Sequence, residues 1–89
     1  MNGWQLRFDK KAFRSLEKLS KPDRLRVRRF VDERLLSMDN PRALGKPLTG
    51  GLSGLWRYRI GNIRLVAQIR DDELIILVLK LGHRKEIYR

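Results

Sequence analysis

The residues best suited to chemistry lie in the last third of the chain. Arg57 and Arg59 alternate with Trp56, Tyr58 and Ile60, Arg64 follows a Gly61-Asn62 pair, and the chain closes on Gly82-His83-Arg84-Lys85-Glu86-Ile87-Tyr88. Side chains two apart on a strand share a face, so Arg57 and Arg59 point together and away from Trp56, Tyr58 and Ile60. Gly61-Asn62 between apolar alternations is a two-residue hairpin signal, which sets Arg64 on the adjacent antiparallel strand close to Arg59. Like charges on neighbouring strands repel. A bound phosphodiester would relieve that repulsion; a solvated cationic face whose arginines reach outward would tolerate it.

Other chemistries find little footing. His83 is the single histidine and cysteine is absent, which removes multi-histidine and thiolate metal sites, disulfides and cysteine nucleophiles. Gly51-Leu52-Ser53-Gly54 is one residue short of a nucleophile elbow, and no phosphate-binding loop motif occurs. Asp71-Asp72-Glu73 stands between two strand patterns, where acidic turn residues are ordinary. No metal or cofactor is expected. Lys and Arg total 21 against 10 Asp and Glu, a net charge of +11 on 89 residues. Such a surplus implies polyanionic partners: nucleic acid, ribosome or an acidic protein. No apolar run approaches a membrane span, and the N-terminus lacks the apolar stretch of a signal peptide, so a cytoplasmic protein is expected.

The elements that must position these residues are legible from periodicity. Residues 1–89 are expected to form one domain with one core. Trp4, Leu6 and Phe8 alternate as a strand. Asp9 can cap a helix bearing Ala12, Phe13, Leu16 and Leu19 on one side. Ser20-Lys21-Pro22-Asp23 starts a second helix as a capping box, with Val27, Phe30, Val31, Leu35 and Met38 as its apolar stripe and Asn40-Pro41 as its end. Its arginines Arg24, Arg26, Arg28 and Arg29 suit either a patch for ribosomal RNA or a solvated face. The connection from Asp39 to Gly54 is long for a small domain, and Leu44, Leu48 and Leu52 could pin it to the core. Three strands follow, the last of which, Leu74 to Leu81, is apolar on both faces and therefore expected to be central and covered. The order β-α-α-β-β-β predicts an α+β fold, a helical hairpin on a mainly antiparallel four-stranded sheet. Trp4, Trp56 and Phe30 are read as core.

In this order, with the Pro41…Leu48-Thr49-Gly50…Leu55-Trp56-Arg57-Tyr58-Arg59-Ile60-Gly61-Asn62-Ile63-Arg64-Leu65 block and the closing Gly82-His83-Arg84…Ile87-Tyr88, the chain resembles the RelE family of bacterial type II toxins over nearly its whole length. The resemblance implies a fold like that of the microbial ribonucleases. It also implies an endoribonuclease that enters the ribosomal A site and cuts messenger RNA there, with a cognate RelB-like antitoxin that wraps and blocks it in a hetero-oligomeric complex. By motif position it places the family's basic residues on Arg57, Arg59, Arg64 and Arg84, and its tyrosine on Tyr88.

Attack of a ribose 2′-hydroxyl on the adjacent phosphate needs in-line placement, charge stabilisation, a proton acceptor and a proton donor. Arg64 and Arg84 suit the charge role, with Arg59 beside them and Arg57 and His83 as substrate contacts. Relatives carry lysine where this chain has Arg57 and Arg59, and arginine stays protonated, so the proton-transfer role falls to Tyr88 first and His83 second. Successive strand residues usually point apart, which opposes His83 and Arg84 both facing the substrate. Two other readings stay open: a ParE-like gyrase inhibitor on the same scaffold, and a non-catalytic basic nucleic-acid-binding module.

Overall fold

A computed structural model describes residues 3–87 of the chain. Strand β1 (Gln5–Phe8) leads into helices α1 (Lys10–Lys18) and α2 (Lys21–Arg29), the latter continued by a π-helical turn over Phe30–Leu35. After the long connection come β3 (Trp56–Ile60), β4 (Ile63–Arg70) and β5 (Ile75–His83), then a short α3 (Arg84–Ile87). Within the connection a two-residue strand, β2 (Lys46–Pro47), pairs with Trp56 and Arg57. The sheet therefore has five strands instead of the expected four, in the order β1-β5-β4-β3-β2. Every pairing is antiparallel except β1 with β5, which run parallel because the helical hairpin returns the chain to the far side of the sheet.

Both predicted caps form. The Asp9 carboxylate accepts from the Ala12 amide at 2.7 Å, and the Ser20 hydroxyl accepts from the Asp23 amide at 3.3 Å. The two helices cover one face of the sheet. Ala12, Leu19, Val27, Phe30, Val31 and Leu35 meet Tyr58, Ile60, Ile63, Leu65, Ala67, Ile76 and Val78 in a single apolar core. Widening the end of α2, with the Leu36 amide donating to the Val31 carbonyl at 2.8 Å, keeps Val31 and Leu35 both inside. Phe13 departs from the expected stripe. It is half-exposed and packs edge-on against Phe8, with ring centroids 6.4 Å apart.

The long connection is held mainly by polar anchors and only partly by its leucines. Leu44 packs on the core, but Leu52 is exposed. The buried Tyr58 hydroxyl donates to the Pro41 carbonyl at 2.6 Å, and burial pushes its pKa up to about 12. Gly45 lies flat on the same ring, where an added Cβ would stand 3.0 Å from a ring carbon. Arg42 grips Asp71 with two hydrogen bonds, at 2.9 and 2.6 Å, while its guanidinium lies 5.7 Å over the Trp56 ring. That hydrogen bonding raises the Arg42 pKa and holds Asp71 below the ordinary carboxylate value. The connection is thus fastened both to the β4–β5 turn and to β3.

Candidate active site on the open face of the sheet

The face of the sheet away from the helices carries the cations. Strand residues Arg7, Lys46, Arg57, Arg59, Arg64, Arg70 and Lys80 are basic, and no Asp or Glu stands on any strand among the described residues; Glu73, in the β4–β5 turn, lies 3.8 Å from Arg70. The hairpin turn fixes their register. Gly61, at φ +59°, takes the left-handed conformation that the first central position of a II′ hairpin turn requires. Ile60 then pairs with Ile63, and Arg59 stands directly opposite Arg64. Across the next strand Arg64 pairs with Gly82. Paired residues share a face, so Arg59, Arg64 and Gly82 form one row on the open side. Arg84 follows at the end of β5, and its backbone N–H donates to the Asn62 carbonyl at 3.0 Å. That bond draws the start of α3 to the hairpin turn, beside the arginine row.

The structure brings Arg57, Arg59, Arg64 and Arg84 to one region of the molecule, as the sequence expects. Two features were not legible. Arg64 is only 4% exposed, and its Nη1 donates to the carbonyls of Gly61 at 2.8 Å and Ile63 at 3.1 Å. Its guanidinium is folded onto the hairpin backbone, so a phosphate reaches it only when the side chain or its cover moves. Lys80 also joins the face. Val66 pairs with Lys80 and Ala67 with Val78, which leaves Leu79 as the extra residue of a β-bulge. Without the bulge Lys80 would share the helix-side parity of Ile76 and Val78; with it, Lys80 and Gly82 turn to the open face. The expectation of a strand covered on both sides is corrected accordingly: β5 is central, but its face away from the helices carries Lys80.

His83 goes the other way. It pairs with Ile63, on the helix side, and its Nε2 lies 3.7 Å from Asp23 Oδ2 at the start of α2. Beyond the strand end, His83 and Arg84 still line one open cavity together with Asn62 and Lys85. Tyr88, the first proton-transfer candidate, lies outside the described residues. No group of histidine, cysteine and carboxylate residues able to hold a metal ion occurs among the described residues, and no helix among them is long and apolar enough to cross a membrane.

The helix arginines are engaged differently. Arg24 donates to the Leu19 carbonyl at 2.9 Å, at the end of α1, Arg26 lies 3.4 Å from Asp23, and Arg28 lies 3.6 Å from Asp32. Arg29 stands exposed in a shallow groove between α2 and the hairpin turn, which Arg26, Glu33, Arg34 and Arg59 also line.

The fold is a helical hairpin over one face of a small mixed sheet, with basic strand residues on the opposite face. Residues 6–88 match the family described as the ParE toxin of type II toxin-antitoxin system, parDE. The chain belongs to this RelE/ParE family of type II toxin–antitoxin toxins. Toxin RelE of Mycobacterium tuberculosis is 35% identical over 78 residues, covering 88% of this chain and 78% of that protein. Toxin RelG of the same organism is 39% identical over 49 residues, 55% of this chain and 56% of RelG, so that match spans little more than half the length of either. The toxin–antitoxin complex RelBE2 from Mycobacterium tuberculosis contains a chain that superposes with a TM-score of 0.83 at 31% identity, covering 97% of both chains.

Proposed function

We propose that this toxin is a ribosome-dependent endoribonuclease that cleaves messenger RNA in the A site and so stops translation. The observation that supports this reading best is the arginine row of the open face. Arg59 and Arg64 are direct cross-strand partners, Arg84 is drawn to the same hairpin end, and the strands carry no Asp or Glu among the described residues. In the proposed step the 2′-oxygen bonds to phosphorus as the bond from phosphorus to the 5′-oxygen breaks. This leaves a cyclic phosphate on one fragment and a 5′-hydroxyl on the other. Charge gathers on the non-bridging oxygens and on the leaving 5′-oxygen. Guanidinium groups stabilise it, because each can hold two oxygens and never loses its proton. Arg59, Arg64 and Arg84 take that role and Arg57 binds the strand. The 2′-hydroxyl proton passes to the Tyr88 oxygen in this scheme, since arginines cannot accept it and the His83 imidazole lies beside Asp23, and the leaving 5′-oxygen takes a proton from water. Dependence on the 2′-hydroxyl makes the substrate RNA rather than DNA.

The cognate partner in this reading is an acidic antitoxin, supported by the net charge of +11 and by the relative solved as a toxin–antitoxin complex. Mapping message 5′ ends after brief induction tests the activity. New ends at codon-spaced positions in translated messages are expected with the wild-type chain, and none with Arg84→Ala. A gyrase supercoiling assay addresses the ParE-like alternative that the matched family keeps in view. Inhibited supercoiling with intact messages would replace the nuclease reading.

A further inference from the structure

The bulge at Leu79 creates a second row of cations on the open face. Lys46 pairs with Arg57, Arg57 with Val66, and Val66 with Lys80, so these four residues stand in line across β2, β3, β4 and β5. Val66 is 1% exposed and forms an apolar floor between Arg57 and Lys80. Those two cations lie two strands apart, about 10 Å between Cα atoms, a gap that long side chains close when they lean over a small residue. Lys46 and Lys80 are exposed, and neither forms an ion pair among the described residues. This row lies two residues along the strands from the Arg59–Arg64–Gly82 row, about 7 Å away. That separation is comparable with the distance between successive phosphates on one RNA strand.

We propose that the Lys46–Arg57–Lys80 row is a second phosphate site, which holds the phosphodiester next to the one being cut. The inference rests on the nuclease reading for its register and adds to it a site built largely from residues outside the arginine row. Its chemistry suits grip rather than catalysis. Two ammonium groups, each a compact charge with three donors, flank a guanidinium over the apolar side chain of Val66. Holding two successive phosphates fixes the direction of the strand between them. It therefore sets the ribose for in-line attack at the neighbouring row.

The test uses the intact toxin on ribosomes programmed with a defined message. Lys80→Ala and Lys46→Ala are each expected to raise KM about tenfold and to leave kcat within about twofold, as the loss of one charge-assisted contact predicts. A methylphosphonate at one of the two positions flanking the cut should weaken the wild type by a similar factor and cost Lys80→Ala nothing further. An unchanged KM in both variants, a fall in kcat instead, or equal weakening of wild type and variant by the methylphosphonate would overturn the proposal. Binding of a single-stranded RNA oligonucleotide separates this outcome from failure of the nuclease reading, because it requires no cleavage. There the slope of log K against log salt should shrink by about 0.7 in Lys80→Ala. A slope equal to the wild type's would contradict the second site whatever the nuclease assay gives.

Discussion

Helix α2 and the open face of the sheet are both strongly basic, yet they hold their charge in opposite ways. On α2 the cations are answered locally: Asp23 lies beside Arg26, Asp32 beside Arg28, and Arg24 closes the end of α1 through the Leu19 carbonyl. Such i,i+3 and i,i+4 pairs contribute a few tenths of a kcal/mol each and leave a mixed-sign surface. The sheet places Arg59 directly opposite Arg64, and Arg57 in line with Lys46 and Lys80, on strands that carry no acid. Cations aligned in this way attract a polyanion. The number of cations does not separate a binding site from a solvated helix; the placement of acids among them does.

Removing sheet arginines should have the largest effects. Arg84→Ala is expected to lower cleavage about 10²–10³-fold with an unchanged melting temperature, the scale of losing one preorganised charge donor. Arg64→Ala should lose as much activity and also about 1–3 kcal/mol of stability, because its buried guanidinium is bonded to the Gly61 and Ile63 carbonyls. Chemical denaturation alongside the cleavage assay distinguishes the two arginines. If Arg84→Ala cleaves normally, the sheet face is not the site.

The same change on α2 should matter far less. Arg28→Ala is predicted to cost no more than about tenfold at physiological salt, and less as salt rises, because only long-range attraction to RNA is lost. His83→Gln should leave cleavage within about threefold, since His83 faces Asp23 and the helix side. A loss of 10²-fold in His83→Gln would place His83 in the reaction, through the cavity it lines with Arg84.

A third setting, Arg42 with Asp71, is fully paired and should report on stability alone. Asp71 titrates below its ordinary value chiefly because Arg42 hydrogen-bonds its charged form. In the window between that lowered pKa and the unfolded value near 4, the unfolded chain binds more protons, so stability rises with pH. The contribution is complete above about pH 5 and lost as pH falls through the folded pKa. Asp71→Asn should therefore melt slightly below the wild type at pH 7, with the gap narrowing below about pH 4. A gap that widens on acidification would reverse the assigned sign.

Much of this arrangement is written in local sequence. The caps at Asp9 and Ser20, the apolar stripe from Val27 to Leu35, the Gly61-Asn62 turn and the facing of Arg57 with Arg59 all follow from residues a few positions apart. What was not legible depends on pairing over long separations. Lys80 faces the open side only because Leu79 bulges, and simple alternation along Ile75 to Leu81 gives the opposite answer. Lys46 reaches the face through a strand of two residues, too short to carry a periodic signal. The burial of Arg64 likewise comes from its contact with the turn backbone, which no spacing rule encodes. The family's tyrosine, Tyr88, is legible by motif and lies outside the described residues.

The most direct test of the central claim holds net charge constant and moves only its position. Arg59→Glu and Arg28→Glu change the chain's charge by the same amount, one placing a carboxylate in the arginine row of the sheet and the other on the helix that already carries acids. Cleavage of a message on purified ribosomes is the readout, with melting temperatures measured on the same preparations. Placement predicts a loss of at least about 10²-fold for Arg59→Glu and about tenfold or less for Arg28→Glu, both proteins remaining folded. Equal losses in the two variants would contradict the account, because total charge rather than the arginine row of the sheet would then govern the reaction.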